Sequence, residues 1–330
     1  MTADPQITAL QARLASPDAG VRRVALLEFS DVEDEALLPA ITHALHHDPE
    51  PTLRADAARV LAGWDRDDVV QALGQALLDT PEVREAAAQS LTELKDPLSG
   101  IPLVPLCWHD DAPVRAAALR GLRELRVPQA APAAIASLQH ADPTVRREAV
   151  GVLGWLKHVA ALPLLAQVAT DDPDPEVRRA ATGTLSAATA ASDAPCVVPA
   201  LCRALADPVW AVREEAATTL GKLPATDTLV TTVLREAMSD DYWQVRLRAA
   251  RALGKLRDTA ALPVLTEALL HPAGNLRKEA AIALGDIGDA NALPALDAAQ
   301  ADPDPEVRKA VRLAIQRLAP TTSATAGAPR

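Results

Sequence analysis

Ten arginines, Arg22, Arg54, Arg84, Arg115, Arg146, Arg178, Arg213, Arg246, Arg277 and Arg308, each follow a Val or Leu, at intervals of 32, 30, 31, 31, 32, 35, 33, 31 and 31 residues. A guanidinium is permanently charged and presents a planar fork of donors. It offers bidentate capture of a carboxylate or phosphate rather than proton transfer. Histidine offers more, and His43 and His47 stand four apart beside His46 and Asp48, a spacing that sets two imidazoles on one helical face for a divalent metal. No third ligand is recognisable elsewhere, so a solvated helix end favoured by the dipole is the expected role, and no metal is expected. Cys107, Cys196 and Cys202 form no Cys-x-x-Cys pair; Cys196 and Cys202, six apart on one predicted helix, read as small apolar packing groups. The sequence has no Gly-x-Ser-x-Gly elbow, no phosphate-binding Gly-Lys loop and no dinucleotide glycine pattern, so no catalytic residue is assigned and no cofactor is expected.

The elements that position the arginines repeat with them. Asp174-Pro175-Glu176-Val177-Arg178 returns as Asp304-Pro305-Glu306-Val307-Arg308 and as Thr80-Pro81-Glu82-Val83-Arg84. Asp or Thr is an N-cap, Pro suits the first helical position, and Glu complements the positive helix end. After each Arg, apolar or small residues recur at +3, +6 and +7, and Gly often follows at +8, as in Gly221, Gly254 and Gly285. That pattern predicts one buried helical face closed by a C-terminal glycine. Another helix opens at phrases such as Ala261-Leu262-Pro263-Val264-Leu265 and Ala292-Leu293-Pro294-Ala295-Leu296. Each unit is therefore a pair of antiparallel helices, of which the arginine-bearing one is the second. Neither helix can bury its stripe alone, so neighbouring pairs must stack.

The phrase Asp-Pro-x-x-Val-Arg-x-x-Ala-x-x-Ala-Leu-Gly-x-Leu, nearly complete over Asp207 to Leu223 and Asp240 to Leu256, resembles HEAT repeats, specifically the short HEAT-like type of the phycobilin lyases. The resemblance implies an all-α α-solenoid of about ten two-helix repeats whose second helices line a concave groove. It also implies that the ladder arginines, Arg178, Arg213, Arg246 and Arg308 among them, are structural rungs bonded to an Asp near the start of a second helix, against the alternative of an anion site. HEAT-like arrays include deoxyhypusine hydroxylase, which holds iron with His-Glu pairs. The matching positions here read Arg147-Glu148, Glu214-Glu215 and Lys278-Glu279, so that activity is excluded.

Departures from the repeat mark candidate contacts. Pro51, Pro81, Pro143, Pro175 and Pro305 occupy the first position of their second helices, whereas two consecutive repeats carry Trp210 and Trp243 there, with Tyr242 beside the latter. The fold does not require aromatics at these positions, and Trp and Tyr are enriched among binding hot spots. Covering apolar surface between repeats is the alternative role. Trp155 holds a slot filled elsewhere by Lys222, Lys255 or Glu93 and is expected to project into solvent; Trp64 matches Leu223 and Leu256 and is expected in the core. Positions following the ladder, including Arg23, Arg59, Arg120, Arg147, Arg179, Arg251, Lys278 and Lys309 against Glu85 and Glu214, would give the groove a cationic lining. Trp210, Tyr242, Trp243, Trp155, Arg147, Arg179, Arg251 and Lys278 are accordingly the predicted partner-binding residues.

The net charge is −11, and residues 1–110 hold all of it, with 19 Asp and Glu against 8 Lys and Arg. An acidic first third argues against a nucleic-acid track, which needs a cationic stripe. Only 2% of residues are aromatic, so Ala, Leu and Val must supply the packing. The repeats run without a compositional break, predicting one solenoid over residues 1–319. A joint is possible near 187–194, where the interval lengthens to 35, and a disordered tail is expected over 320–330. Reduced thiols, the absence of a leader pattern and the lack of a long apolar run predict a cytoplasmic protein that does not engage membranes, and arginine over lysine hints at a GC-rich bacterium. The expected function is that of a monomeric, non-catalytic scaffold, adaptor or assembly factor that holds a protein partner in its groove. The alternative is a lyase or isomerase subunit that binds a tetrapyrrole-like or other large cofactor.

Overall fold

The computed structural model describes residues 5–32, 34–188, 195–223 and 228–319. The expected tail over 320–330, and the expected joint except for residues 187 and 188, lie outside them. The described residues contain helices and no strand, and they form an α-solenoid distributed over two compact units that meet in sequence at Ala161 and Leu162.

The first unit holds α1 (Pro5–Leu14) with α2 (Ala19–Val32), α3 (Leu38–His47) with α4 (Pro51–Val60), and α5 (Asp67–Ala76) with α6 (Pro81–Leu91). A 3-10 run, Pro97–Trp108, then pairs with α7 (Ala112–Leu125), and α8 (Ala131–Ser137) pairs with α9 (Pro143–Trp155). The 3-10 run occupies the place of a first helix. Pro102 and Pro105 inside it cannot donate the i→i−4 bonds of an α-helix, so this tighter coil stands where the repeat predicts an α-helix. The second unit pairs α10 (Leu162–Asp171) with α11 (Pro175–Thr184), α12 (Val197–Ala204) with α13 (Trp210–Leu220), and α14 (Thr228–Ala237) with α15 (Trp243–Lys255). It ends with α16 (Leu262–Ala268) against α17 (Gly274–Ile287) and α18 (Leu293–Ala298) against α19 (Pro305–Leu318).

Second helices stack on second helices, α2 on α4, α4 on α6, α6 on α7 and α7 on α9 in one unit, and α11 on α13, α13 on α15, α15 on α17 and α17 on α19 in the other. The seam is made by small residues. Every alanine three positions after a ladder arginine, from Ala25 and Ala57 to Ala249 and Ala280, is fully buried. A methyl there lets neighbouring helices approach closely while still excluding water.

The glycines eight positions after the arginine serve the same seam, which corrects the expected role of Gly254 and Gly285 as helix stops, whereas Gly221 does stand at the C-cap of α13. Gly254 and Gly285 lie inside α15 and α17, and Gly221 follows α13 with φ −70°. A Cβ at Gly254 would stand 2.7 Å from Ala283 Cα, and one at Gly285 would stand 2.9 Å from Ala314 Cα. Side chains are absent here because the next repeat occupies the space. Left-handed backbone instead falls on Gly63, Arg126, Lys157, Arg257 and Gly288. At the other helix ends, Asp142, Asp174 and Asp304 accept from the N–H two residues on, at 2.7, 2.9 and 2.8 Å. Thr80, read as a cap from the sequence, makes no side-chain cap bond.

Candidate functional site

Within each unit, ladder arginines tie repeats to their neighbours. Arg22 grips Asp48, Arg54 grips Asp79, Arg178 grips Asp207, Arg213 grips Asp240 and Arg277 grips Asp302, each through Nε and Nη2 at 2.6–3.1 Å. The third nitrogen reaches back to carbonyls that end the arginine's own first helix: Arg178 donates to Asp172 O, and Arg213 to Asp207 O. Asp207 thus receives one arginine on its carboxylate and the next on its carbonyl. The carboxylate also accepts the backbone N–H two residues on, as in Asp207 with Val209 and Asp240 with Tyr242. Burial would raise the Asp240 carboxyl, but the bonds from Arg213 and the Tyr242 N–H hold it below the usual carboxylate range. The Arg54 fork does the same for Asp79, and the Arg277 fork for Asp302.

Two of the four rungs expected at Arg178, Arg213, Arg246 and Arg308 end differently. Arg308 donates to the carbonyls of Asp302 and Pro303. Arg246 makes one long bond, 3.4 Å, to Asp241 O. The position three before the second helix, Asp in five repeats, is His271 in the repeat after Arg246, and His109 and His140 hold it in two earlier repeats. Each of these imidazoles uses Nδ1 to accept the N–H two residues on, from Asp111, Asp142 and Ala273. The ring copies the turn-forming half of the Asp and omits the half that grips arginine.

The aromatic candidates separate into two groups. Trp210, at the first turn of α13, stacks on Tyr242, which precedes α15, with ring centroids 5.5 Å apart and planes 13° apart. The Arg213 guanidinium lies 5.7 Å from the Tyr242 centroid, so the stack rests on a rung. Tyr242 remains 45% exposed. Trp243 is not the stacking partner of Trp210. It lines a cavity of about 330 Å³ with Glu214, Arg248, Arg251, Lys278 and Glu279, so Trp243 and the cations Arg251 and Lys278 face one space.

The expected cationic lining is charge-paired. Arg251 holds Glu279 at 2.6 Å, Lys278 holds Glu306 at 3.0 Å, Arg179 holds Glu176 at 2.8 Å, and Arg147 lies 3.4 Å from Glu148. Arg23 meets Asp56, Arg120 meets Glu85 and Arg248 meets Glu214. These pairs come mostly from carboxylates one repeat away, which no local pattern reveals. In the first unit, Arg147 lines a cavity of about 250 Å³ with Arg120, Glu85 and Glu148. Trp155 is exposed, with the Arg126 guanidinium 5.4 Å above its ring. Trp64 is half-buried and packs on the fully buried Phe29 at 6.0 Å.

Among the described residues no cluster of three His, Cys, Asp or Glu side chains could hold a metal, and no helix is long and apolar enough to cross a membrane. His43 and His47 stack at 4.4 Å at the end of α3, where His47 Nδ1 lies 3.1 Å from the His43 carbonyl. Burial pushes the Cys107 thiol up to about 12, which makes it an inert packing group.

Solved structures share this architecture. An engineered protein superposes with a TM-score of 0.55 over 96% of this chain and 99% of its own, at 20% identity. YibA of Escherichia coli does so with a TM-score of 0.52 over 92% of this chain and 97% of its own, at 22% identity. Among curated proteins, none matches the sequence. The family model for HEAT repeats matches residues 7–92, 38–116, 102–186 and 231–316, and a second HEAT repeat model matches residues 197–223. With ladder, seam and matches in agreement over most of its length, the chain belongs to the HEAT-repeat family.

Proposed function

We propose that this chain is a non-catalytic scaffold or adaptor that holds a protein partner against its second helices, working as a cytoplasmic monomer. The observation that carries the reading is the stack of Trp210, at a first helical position that other repeats mostly give to proline or a small residue, on Tyr242, at an N-cap position that other repeats mostly give to Asp, Glu or Thr. Large rings that are stacked and still partly exposed supply contact area at little conformational cost, which is how aromatic hot spots work. In the second unit, Trp243 with Arg251 and Lys278 forms an adjoining contact region, and Arg179 adds a half-exposed charge. The ion pairs of Arg251 and Lys278 would exchange carboxylates with a partner, giving specificity more than affinity. Trp155 and Arg147 are the corresponding candidates of the first unit.

The test is capture from the native cytoplasm with the wild-type chain beside a Trp210→Ala/Tyr242→Ala/Trp243→Ala variant, read by mass spectrometry. A protein retained by the wild type at least tenfold over the variant supports the reading and places the site. Equal retention by both baits would sink the aromatic assignment.

A further inference from the structure

We propose that Arg246 and the cavity beside it form a binding site for one aliphatic carboxylate, supplied by an outside molecule at the place where other rungs receive an aspartate of the next repeat. The cavity, about 590 Å³, is lined by Met238, Arg246, Val264, Leu270 and His271, with Glu267 among the other contributors. Arg246 Nε is shielded from solvent and has no hydrogen-bond partner among the described residues. An unpartnered buried guanidinium nitrogen is costly, and natural structures rarely keep one without a use.

Comparison with the other histidine rungs singles Arg246 out. Arg84, whose opposite position is His109, donates from Nε to Leu77 O at 2.7 Å and lies 3.4 Å from Asp111. Arg115, opposite His140, donates from Nε to His109 O at 3.0 Å. Each of those arginines has an acceptor within the chain for the nitrogen that Arg246 leaves unbonded. In the rungs of Arg22, Arg54, Arg178, Arg213 and Arg277, Nε and Nη2 together grip a carboxylate, so the ligand chemistry that fits the Arg246 fork is already defined by its sister rungs. His271 adds to it. Its Nδ1 accepts from the Ala273 N–H at 3.0 Å, which places the ring proton on Nε2 and makes the imidazole a donor at the cavity.

The walls define the rest of the ligand. Met238, Val264 and Leu270 are apolar, and Leu270 is 85% exposed at the rim, so a carboxylate on an apolar stem fits better than a bare anion. The Glu267 carboxylate shares the cavity and repels a second negative charge, which disfavours dicarboxylates and phosphates. Because the site is independent of Trp210, Tyr242 and Trp243, its failure and that of the proposed scaffold surface are distinguishable.

The experiment titrates the full chain with hexanoate, with hexanol as the uncharged control and an acetylated, amidated Leu-Asp-Leu peptide as the polypeptide source. Binding is followed by the Arg246 Nε–H resonance, assigned by its loss in Arg246→Lys. Hexanoate or the peptide should give a saturable shift, with Kd on the order of 1 mM for a single charge-assisted fork, and hexanol none. Whichever of the two binds more tightly names the source. Glu267→Gln should tighten binding about threefold by removing one repulsion. His271→Asp places the missing carboxylate in the chain itself; it should melt above the wild type and weaken hexanoate at least tenfold. No saturable shift with either acid, equal binding to His271→Asp, or a lower melting temperature for that variant would each overturn the proposal.

Discussion

At the residue scale, the rung is the unit that turns sequence period into structure. Removing Arg213 strands the Asp240 carboxylate, whose side chain is 9% exposed, and takes away the bonds to Asp207 O and Pro208 O. Arg213→Ala should therefore destabilise by about 3 kcal/mol, the cost of orphaning one member of a buried pair, and denaturant unfolding will show it as a lower midpoint. Arg179→Ala, which breaks only an exposed pair with Glu176 on its own helix, should cost about 0.5 kcal/mol or less. The contrast explains what could be read in advance. The arginines were legible because every copy carries one, and the aspartates were visible in the same phrase. That His109, His140 and His271 interrupt the aspartate column was equally visible, but its meaning depends on which atom of each ring faces the turn. The ion pairs of Arg251 and Lys278 were illegible, because their carboxylates lie 28 residues away and the stacking offset decides which one arrives.

At the element scale, the period predicts paired helices and the structure has them, apart from the 3-10 run over 97–108, where Pro102 and Pro105 were the readable signal. Glycine was misread because a helix stop and a close helix contact leave the same mark in one sequence. Substitution tells the two apart. Replacing glycine in a helix interior by alanine gains about 1 kcal/mol in propensity, but in Gly254→Ala the new Cβ meets Ala283 Cα, backbone that cannot move aside. That variant should lose about 1–3 kcal/mol net to overpacking. Gly151 is the control, since its Cβ would meet Arg123 Cδ at 2.7 Å, part of a side chain that can turn aside rather than fixed backbone. Gly151→Ala should be neutral or slightly stabilising. Melting temperatures of the two variants that move in the same direction would contradict the seam argument.

At the scale of the whole molecule, a repeat array gains stability from each contact between neighbours, and the rungs make that sum depend on pH. Asp79, Asp240 and Asp302 have folded-state pKa values lowered by their arginines and by backbone N–H bonds, with burial opposing in each case. A carboxylate held below its unfolded value contributes fully above about pH 4 and loses that contribution as pH falls through the folded value. Both units contain such rungs, Asp79 in the first and Asp240 and Asp302 in the second, so acid should weaken both over the same range. His271 adds an earlier step in the second unit, as His46, whose pKa burial also depresses, does in the first. Burial, with Arg246 and Arg277 nearby, depresses the His271 pKa, so the unfolded chain takes up the proton first and stability falls as pH drops below about 6.5. Protonation would also remove the Nδ1 acceptor that the Ala273 N–H uses. The melting temperature should therefore decline in two stages, a shallow one below about pH 6.5 and a steep one below about pH 4. His271→Asp should diminish the first and keep the second. A melting temperature flat down to about pH 4 in the wild type would show that the histidine rung is not coupled to folding, while leaving the aspartate ladder to account for the acid limb.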